Sequence, residues 1–292
     1  MEYGRLIVAL ATPFRPDLEV DYDKTAELAR RLAEEGATGF VSAGTTGESP
    51  TLSREERMEL VRTLKKAVSV PIIANVGTND TRASIRNAKD AEEAGADGLL
   101  LVVPYYNKPD QGMLYDHFKA IAESVKIPSM LYNVPGRTAA TVRPETVVKL
   151  SREVPNIRYV KEASGDLEAL TQIVRDSAPG FRAYTGDDSM TLPSLAVGAY
   201  GVVSVSGHVI GKQMKEMIDA YVAGYVAKAA ELHQRLLPLN KALFLQPNPV
   251  PLKAALKLRG FDAGSLRPPL KDASLEVVQA LKKALLDLGL LP

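Results

Sequence analysis

Gly36-Ala37-Thr38-Gly39-Phe40 recurs as Gly95-Ala96-Asp97-Gly98-Leu99 and again as Gly198-Ala199-Tyr200-Gly201-Val202. Each copy follows a segment with helical spacing of apolar residues and opens an apolar run. The first glycine suits the left-handed cap that ends a helix, and the second opens a strand. Helix-to-strand joints repeated in this way predict βαβ units. Working outward from them, the alternation continues along most of the chain. Strands are expected at 5–11, 39–43, 71–76, 98–103, 128–132, 157–164, 181–185 and 201–205. Helices are expected at 22–35, 53–68, 81–94, 111–125, 144–150, 167–177 and 189–197. Ser53 with Glu56 makes a capping box, and Pro144 suits a first helical turn. Eight such units read as a (β/α)8, or TIM, barrel over residues 1–211. An open doubly wound sheet also alternates strand and helix, but eight units and no glycine-rich dinucleotide fingerprint count against it. Residues 212–292 are mostly helical, with candidates at 214–223, 226–243, 251–258 and 275–286, and predict a small C-terminal helical domain.

Composition narrows the function classes. The chain has 292 residues, 46% of them hydrophobic and 24% charged, which is ordinary for a globular α/β protein. A net charge of +1 gives no electrostatic case for nucleic acid or an anionic membrane. The absence of cysteine excludes disulfides and thiolate chemistry. Met1-Glu2-Tyr3-Gly4-Arg5 does not read as a leader segment, and no apolar run is long enough to span a bilayer, so a soluble cytoplasmic protein is expected. His117, His208 and His233 lack metal-ligand spacing, so no metal is expected.

Barrels of this kind gather their sites at the C-terminal ends of the strands. The sixth strand is Ile157-Arg158-Tyr159-Val160-Lys161-Glu162-Ala163-Ser164. Counting by twos puts Ile157, Tyr159 and Lys161 on one face. An ammonium partly removed from water is costly, and a lysine that is neutral part of the time attacks carbonyls. The plainer alternative pairs Lys161 with Glu162 or lets it reach solvent. Strand two runs into Gly44-Thr45-Thr46-Gly47-Glu48-Ser49, whose hydroxyls and N–H groups could hold a carboxylate or relay a proton. Strand four ends in Pro104-Tyr105-Tyr106-Asn107, by itself a packing pair. Strand five ends in Tyr132-Asn133-Val134-Pro135-Gly136-Arg137-Thr138. Tyr132 there could act as general acid and base, and Arg137 could grip a carboxylate or be a solvated loop residue. Gly186-Asp187-Asp188 after strand seven could cap the next helix. Taken together, the set suits carbonyl chemistry on an anionic substrate.

These motifs, with Lys161-Glu162-Ala163-Ser164-Gly165-Asp166 and Asn248-Pro249-Val250-Pro251, resemble the dihydrodipicolinate synthase family over essentially the whole chain. The Tyr-Asn-Val-Pro-x-Arg-Thr run discriminates most, because related pyruvate aldolases share the fold, lysine and tyrosine but usually not the arginine. The resemblance implies that Lys161 forms a Schiff base with pyruvate and that Tyr132 shuttles protons. It implies that Thr45 links Tyr132 to Tyr106 of a neighbouring subunit. Thr46 would bind the pyruvate carboxylate and Arg137 the carboxylate of L-aspartate 4-semialdehyde, while Gly186 and Val203 would line the site through backbone. The implied product is (4S)-4-hydroxy-2,3,4,5-tetrahydrodipicolinate, in diaminopimelate and lysine synthesis. No cofactor is implied beyond the covalent imine. The implied assembly is a homotetramer of two tight dimers, with no nucleic-acid or membrane partner. The alternatives are a sugar-acid aldolase of the N-acetylneuraminate lyase or 2-keto-3-deoxygluconate type, and a non-catalytic binding protein on the same barrel. Departures from the family pattern fall in two places. His208 stands where asparagine is more usual, and it is expected beyond strand eight, outside the chemistry. At the family's lysine-effector site Ser49, Asn79 and Tyr105 match. Ala83 replaces a glutamate there, Arg57 replaces a histidine, and Arg54 adds a further cation, so little or no feedback by lysine is implied.

Overall fold

The computed structural model describes residues 3–291. Met1 and Glu2, part of the stretch read for a leader, and Pro292, the last residue of the expected C-terminal domain, lie outside the described residues. In chain order the elements are β1 (Leu6–Ala9), α1 (Tyr22–Glu34), β2 (Gly39–Ser42), α2 (Arg54–Ala67), β3 (Ile72–Asn75), α3 (Thr81–Glu93) and β4 (Gly98–Val102). Then come α4 (Gln111–Ala122), β5 (Ser129–Asn133), α5 (Pro135–Thr138), α6 (Pro144–Glu153), β6 (Ile157–Glu162), α7 (Leu167–Asp176), β7 (Arg182–Thr185), α8 (Thr191–Ala196) and β8 (Gly201–Ser204). The chain continues through α9 (Gly207–Val222), α10 (Val226–Ala242), α11 (Val250–Leu258) and α12 (Leu275–Asp287). The strands close into a parallel barrel in sequence order, with β1 paired to β8 through Ile7 and Val203. It is a (β/α)8 barrel followed by a C-terminal helical layer. No helix among the described residues is long and apolar enough to cross a membrane.

The repeated joints behave as their sequence requires. Gly36, Gly95 and Gly198 have φ of +107°, +91° and +98°, a conformation that a Cβ penalises. The second glycines begin β2, β4 and β8. At Gly98 a Cβ would fall 1.7 Å from the Tyr3 hydroxyl, so the floor of the barrel closes only over glycine. The α2 capping box forms in both directions, with Glu56 N donating to Ser53 Oγ at 3.1 Å and Ser53 N to Glu56 Oε2 at 2.7 Å.

Strand alternation divides the buried side chains into two layers. Val41, Ile73, Leu100, Met130, Tyr184 and Val203 fill the barrel. Val8, Phe40, Leu99, Leu131, Val160 and Val202 pack outward against the helices. One expectation fails here. Ile157 belongs to the outer layer, whereas Tyr159 belongs to the inner one. The β5–β6 register steps from Ser129↔Ile157 to Met130↔Tyr159, so one extra residue, the exposed Arg158, is bulged out. A bulge reverses the alternation on its far side, and counting by twos across it is wrong by one. Counting from Tyr159 onward holds.

The start of α9 also departs from expectation, at Gly207 rather than Met214. Gly207 and Gly211 weaken the helical signal, and Ile210 is non-helical inside it (φ −130°, ψ 35°), so the helix crosses position 211 with a kink. Tertiary contacts supply what propensity lacks. The wholly buried Asp188 accepts the N–H groups of Val205 and Ser206 at 2.9 Å each and the hydroxyl of Ser204. Burial raises its pKa against the pull of those hydrogen bonds. His208 is completely buried in the first turn. Its Nδ1 lies 2.8 Å from Val205 O, and its Nε2 accepts Ala11 N at 3.0 Å. A carbonyl only accepts and an amide N–H only donates, so the proton is on Nδ1 and the ring is neutral. His208 therefore ties the end of β8 to the end of β1.

Burial lowers the His208 pKa from 6.5 to about 4. A histidine depressed on folding adds stability above its unfolded pKa and loses it as pH falls. Below pH 6.5 the unfolded chain binds more protons, and a proton on Nε2 would face the Ala11 N–H. We expect His208 to remove on the order of 3 kcal/mol of stability between pH 7 and pH 4. Urea unfolding at both pH values, for the wild type and His208→Asn, checks this. An equal pH dependence in the two proteins would contradict it.

Candidate active site

Lys161 and Tyr132 are direct partners in the β5–β6 register, both pointing into the barrel near its C-terminal mouth. Each side chain is only 6% exposed. Lys161 Nζ lies 4.2 Å from the centre of the Tyr132 ring. Just past the end of β7, Gly186 leaves room for the lysine stem. A Cβ there would stand 2.7 Å from Lys161 Cε and from Ala163 Cβ, well inside van der Waals contact. Val203 is fully buried in the same interior.

Below Lys161 the barrel is filled by aromatic rings. Tyr3 stacks on Tyr159 with centroids 4.4 Å apart, and Tyr184 meets Tyr159 edge-on at 6.3 Å. Burial pushes the Tyr3 and Tyr184 phenols far above their usual range. They stay neutral and serve as packing.

Glu162 does not neutralise Lys161. It points to the outer face, where Asn133 Nδ2 donates to both its oxygens at 2.9 and 3.1 Å and Ser164 N donates at 2.8 Å. Burial raises its pKa, opposed by these donors. Asn133 Oδ1 also accepts Val142 N at 3.3 Å. This pair fixes the strand ends on either side of the Tyr132 and Lys161 register position.

The Gly44 to Ser49 loop is held from outside the barrel. Thr12 Oγ1 donates to Gly47 O at 2.9 Å. Glu48 is left-handed (φ +57°), and its carboxylate meets Lys253 Nζ at 2.8 Å with both side chains almost wholly buried. Desolvation lowers the Lys253 pKa, and Glu48 opposes it. Arg267 donates its backbone N–H to Glu48 at 3.0 Å and grips Glu56 with two guanidinium nitrogens at 2.9 and 2.5 Å. Removing one partner of a buried ion pair typically costs about 3–5 kcal/mol. The threonine loop thus depends on residues more than two hundred positions away. Sequence reasoning missed Lys253, because a lysine in an amphipathic helix reads as a solvated one.

A cleft of about 240 Å³ opens beside Tyr132, lined among others by Thr45, Ser49, Arg57, Tyr105, Val134 and Arg137. Its volume suits a small substrate. Among the described residues its lining contains two arginines and no carboxylate. Arg137 is exposed at the rim, and Thr46, within the Gly44 to Ser49 loop, is 2% exposed. Tyr106 is not brought in by its own chain. It is 88% exposed, with φ of +78°, and Tyr105 lines the cleft instead. Asp187 caps the turn after β7 through Ser189 N at 2.8 Å. No cluster of three or more His, Asp or Glu able to hold a metal occurs among the described residues.

Comparison with known proteins agrees with this geometry. The model of the dihydrodipicolinate synthetase family matches residues 2–288. The 4-hydroxy-tetrahydrodipicolinate synthase of Thermosynechococcus vestitus is 52% identical over 293 residues, covering 99% of each chain. That of Symbiobacterium thermophilum is 50% identical over 291 residues, again covering 99% of each. A crystal structure of DHDPS from Cyanidioschyzon merolae with lysine bound superposes with a TM-score of 0.97 at 45% identity, covering 99% of both chains. A barrel with a mouth-facing Lys161 and Tyr132, matched end to end by these relatives, leaves one assignment: the chain belongs to the dihydrodipicolinate synthetase family.

Proposed function

We propose that this chain is a 4-hydroxy-tetrahydrodipicolinate synthase, condensing pyruvate with L-aspartate 4-semialdehyde. The observation that carries the reading is the pairing of Lys161 with Tyr132 beneath a carboxylate-free cleft rimmed by Arg137. The Lys161 amine attacks the pyruvate carbonyl, and loss of water gives the imine. Tyr132 takes a methyl proton to give the enamine, passing it along Thr45 to Tyr106 of a neighbouring subunit. The enamine carbon attacks the aldehyde, and Tyr132 protonates the new alkoxide. The amino group of the acceptor then attacks the imine carbon and displaces Lys161, closing the ring. One water is lost overall. The hydroxyl of Thr46 holds the pyruvate carboxylate, Arg137 holds that of the acceptor, and backbone at Gly186 and Val203 completes the wall. The residues act without a metal or cofactor, in the cytoplasm, as a dimer or a pair of dimers. A coupled assay with pyruvate and L-aspartate 4-semialdehyde, beside a panel of sugar aldehydes, tests the reading. Preference for a sugar aldehyde would move the chain to the sugar-acid aldolases.

Arg137→Ala should leave imine formation intact and raise KM for L-aspartate 4-semialdehyde. One charge-assisted contact is typically worth a factor of about 10–150. Steady-state kinetics decide, since a rise confined to pyruvate would assign Arg137 to the other carboxylate.

Feedback by lysine should be weak or absent in this chain. Arg57 lines the cleft and donates to Ser49 O at 2.6 Å. Burial lowers its pKa, with Tyr105 opposing. Ala83 offers no carboxylate to an α-amino group. Arg54, counted from sequence as a further cation, is neutralised by Asp90, with Nη2 to Oδ1 at 2.6 Å, so Arg57 is the cation an incoming lysine meets. A missing charged partner costs about 1.5–3 kcal/mol, and the like charge adds to it. Half-inhibition by L-lysine should require more than about 1 mM. An inhibition curve with a lower midpoint would contradict this.

A further inference from the structure

Asn248 lies before α11, outside the barrel, yet it is 6% exposed and its Nδ2 donates to Thr46 Oγ1 at 2.9 Å. Its Oδ1 is buried without a hydrogen-bond partner. A hydroxyl has one proton to give and two lone pairs to receive with. The amide N–H occupies a lone pair, so Thr46 keeps its own proton. Among the described residues that proton is given to nothing. We infer that Asn248 is a positioning residue, contributed by the C-terminal layer, which turns the Thr46 hydroxyl into a donor aimed at the substrate carboxylate. The inference rests on the reading above that Thr46 holds the pyruvate carboxylate.

The geometry makes the amide hard to replace. A carboxylate of the same shape would accept the Thr46 proton, leaving none for the substrate, and would set a negative charge near the substrate's own. An alanine would merely release the hydroxyl to rotate. The buried Glu48–Lys253 pair holds this contact in place, since Glu48 closes the same loop and Lys253 lies on α11 a few residues past Asn248. Nothing in the local sequence marks Asn248 as part of the site, because Thr46 is 202 positions away.

The experiment measures KM for both substrates in Asn248→Asp, Asn248→Ala and Thr46→Val, with urea midpoints for each. Asn248→Asp should raise KM for pyruvate by about 10–150-fold, the range for one hydrogen bond to a charged group. Asn248→Ala should raise it by about 2–10-fold, the range for a neutral one. KM for L-aspartate 4-semialdehyde should move far less in both. Tolerance of Asp, an Ala variant worse than Asp, or equal effects on the two substrates would overturn the inference. If Asn248→Asp does not fold, the double variant Thr46→Val/Asn248→Ala decides. Its pyruvate KM should match that of Thr46→Val alone, since both changes remove one donor, and additive effects overturn the inference. Thr46→Val separates the two claims. If pyruvate KM is unchanged there, the carboxylate reading falls and the inference with it. If it rises while Asn248→Asp is silent, only the inference falls.

Discussion

Lys161→Arg should reduce turnover by on the order of 10⁴–10⁶-fold, the scale on which enzymes lose a covalent nucleophile. Incubation of the wild type with pyruvate and borohydride should leave one pyruvate-derived adduct per chain, on Lys161, and the variant should carry none. The substitution keeps charge and length but not the chemistry, because a guanidinium does not deprotonate in proteins. The surroundings favour a selective reaction. Glu162 is turned to the outer face and held by Asn133, so no adjacent carboxylate locks the ammonium in an ion pair. Gly186 clears the stem, and Tyr132 covers one side of Nζ. Peptide mapping that finds the adduct on another lysine, or finds none, would overturn the Schiff-base assignment.

Tyr106→Phe should lose most activity, since proton transfer by a placed side chain contributes about 10²–10⁴-fold. In its own chain Tyr106 is 88% exposed and does not line the cleft. A large aromatic residue at a left-handed backbone position is held there at a cost, which a partner subunit could offset. Mixing Tyr106→Phe with Lys161→Ala chains should therefore restore activity. Random exchange gives half mixed dimers, each with one intact site, so about a quarter of wild-type activity is expected. Confirmed subunit exchange without recovery would place Tyr106 in its own chain's site or outside the chemistry.

The sequence was most legible where chemistry and local geometry coincide. The Gly-Ala-x-Gly joints, the Ser53–Glu56 box and the apolar runs announced the barrel because each depends on residues within a few positions. Lys161 and Tyr132 could be placed at one mouth because alternation along a strand is a local rule. That rule failed for Ile157 because a bulge depends on how two strands pair, and no single strand records its pairing. The start of α9 was hidden for a similar reason. Its glycines argue against a helix, and the groups that overrule them, Asp188 and His208, act across the ends of β7, β8 and β1.

By itself, then, the sequence determined the eightfold alternation and the placing of Lys161, Tyr132 and Arg137 at the C-terminal mouth of the barrel. These are set by side-chain type, by period and by nearest neighbours. Only the tertiary structure decided that Glu162 turns away from Lys161 and that Lys253 and Asn248 reach the threonine loop from the C-terminal layer. Those contacts join residues far apart in the chain. Desolvation sets their strength, and burial does not exist until the barrel and its helices have packed.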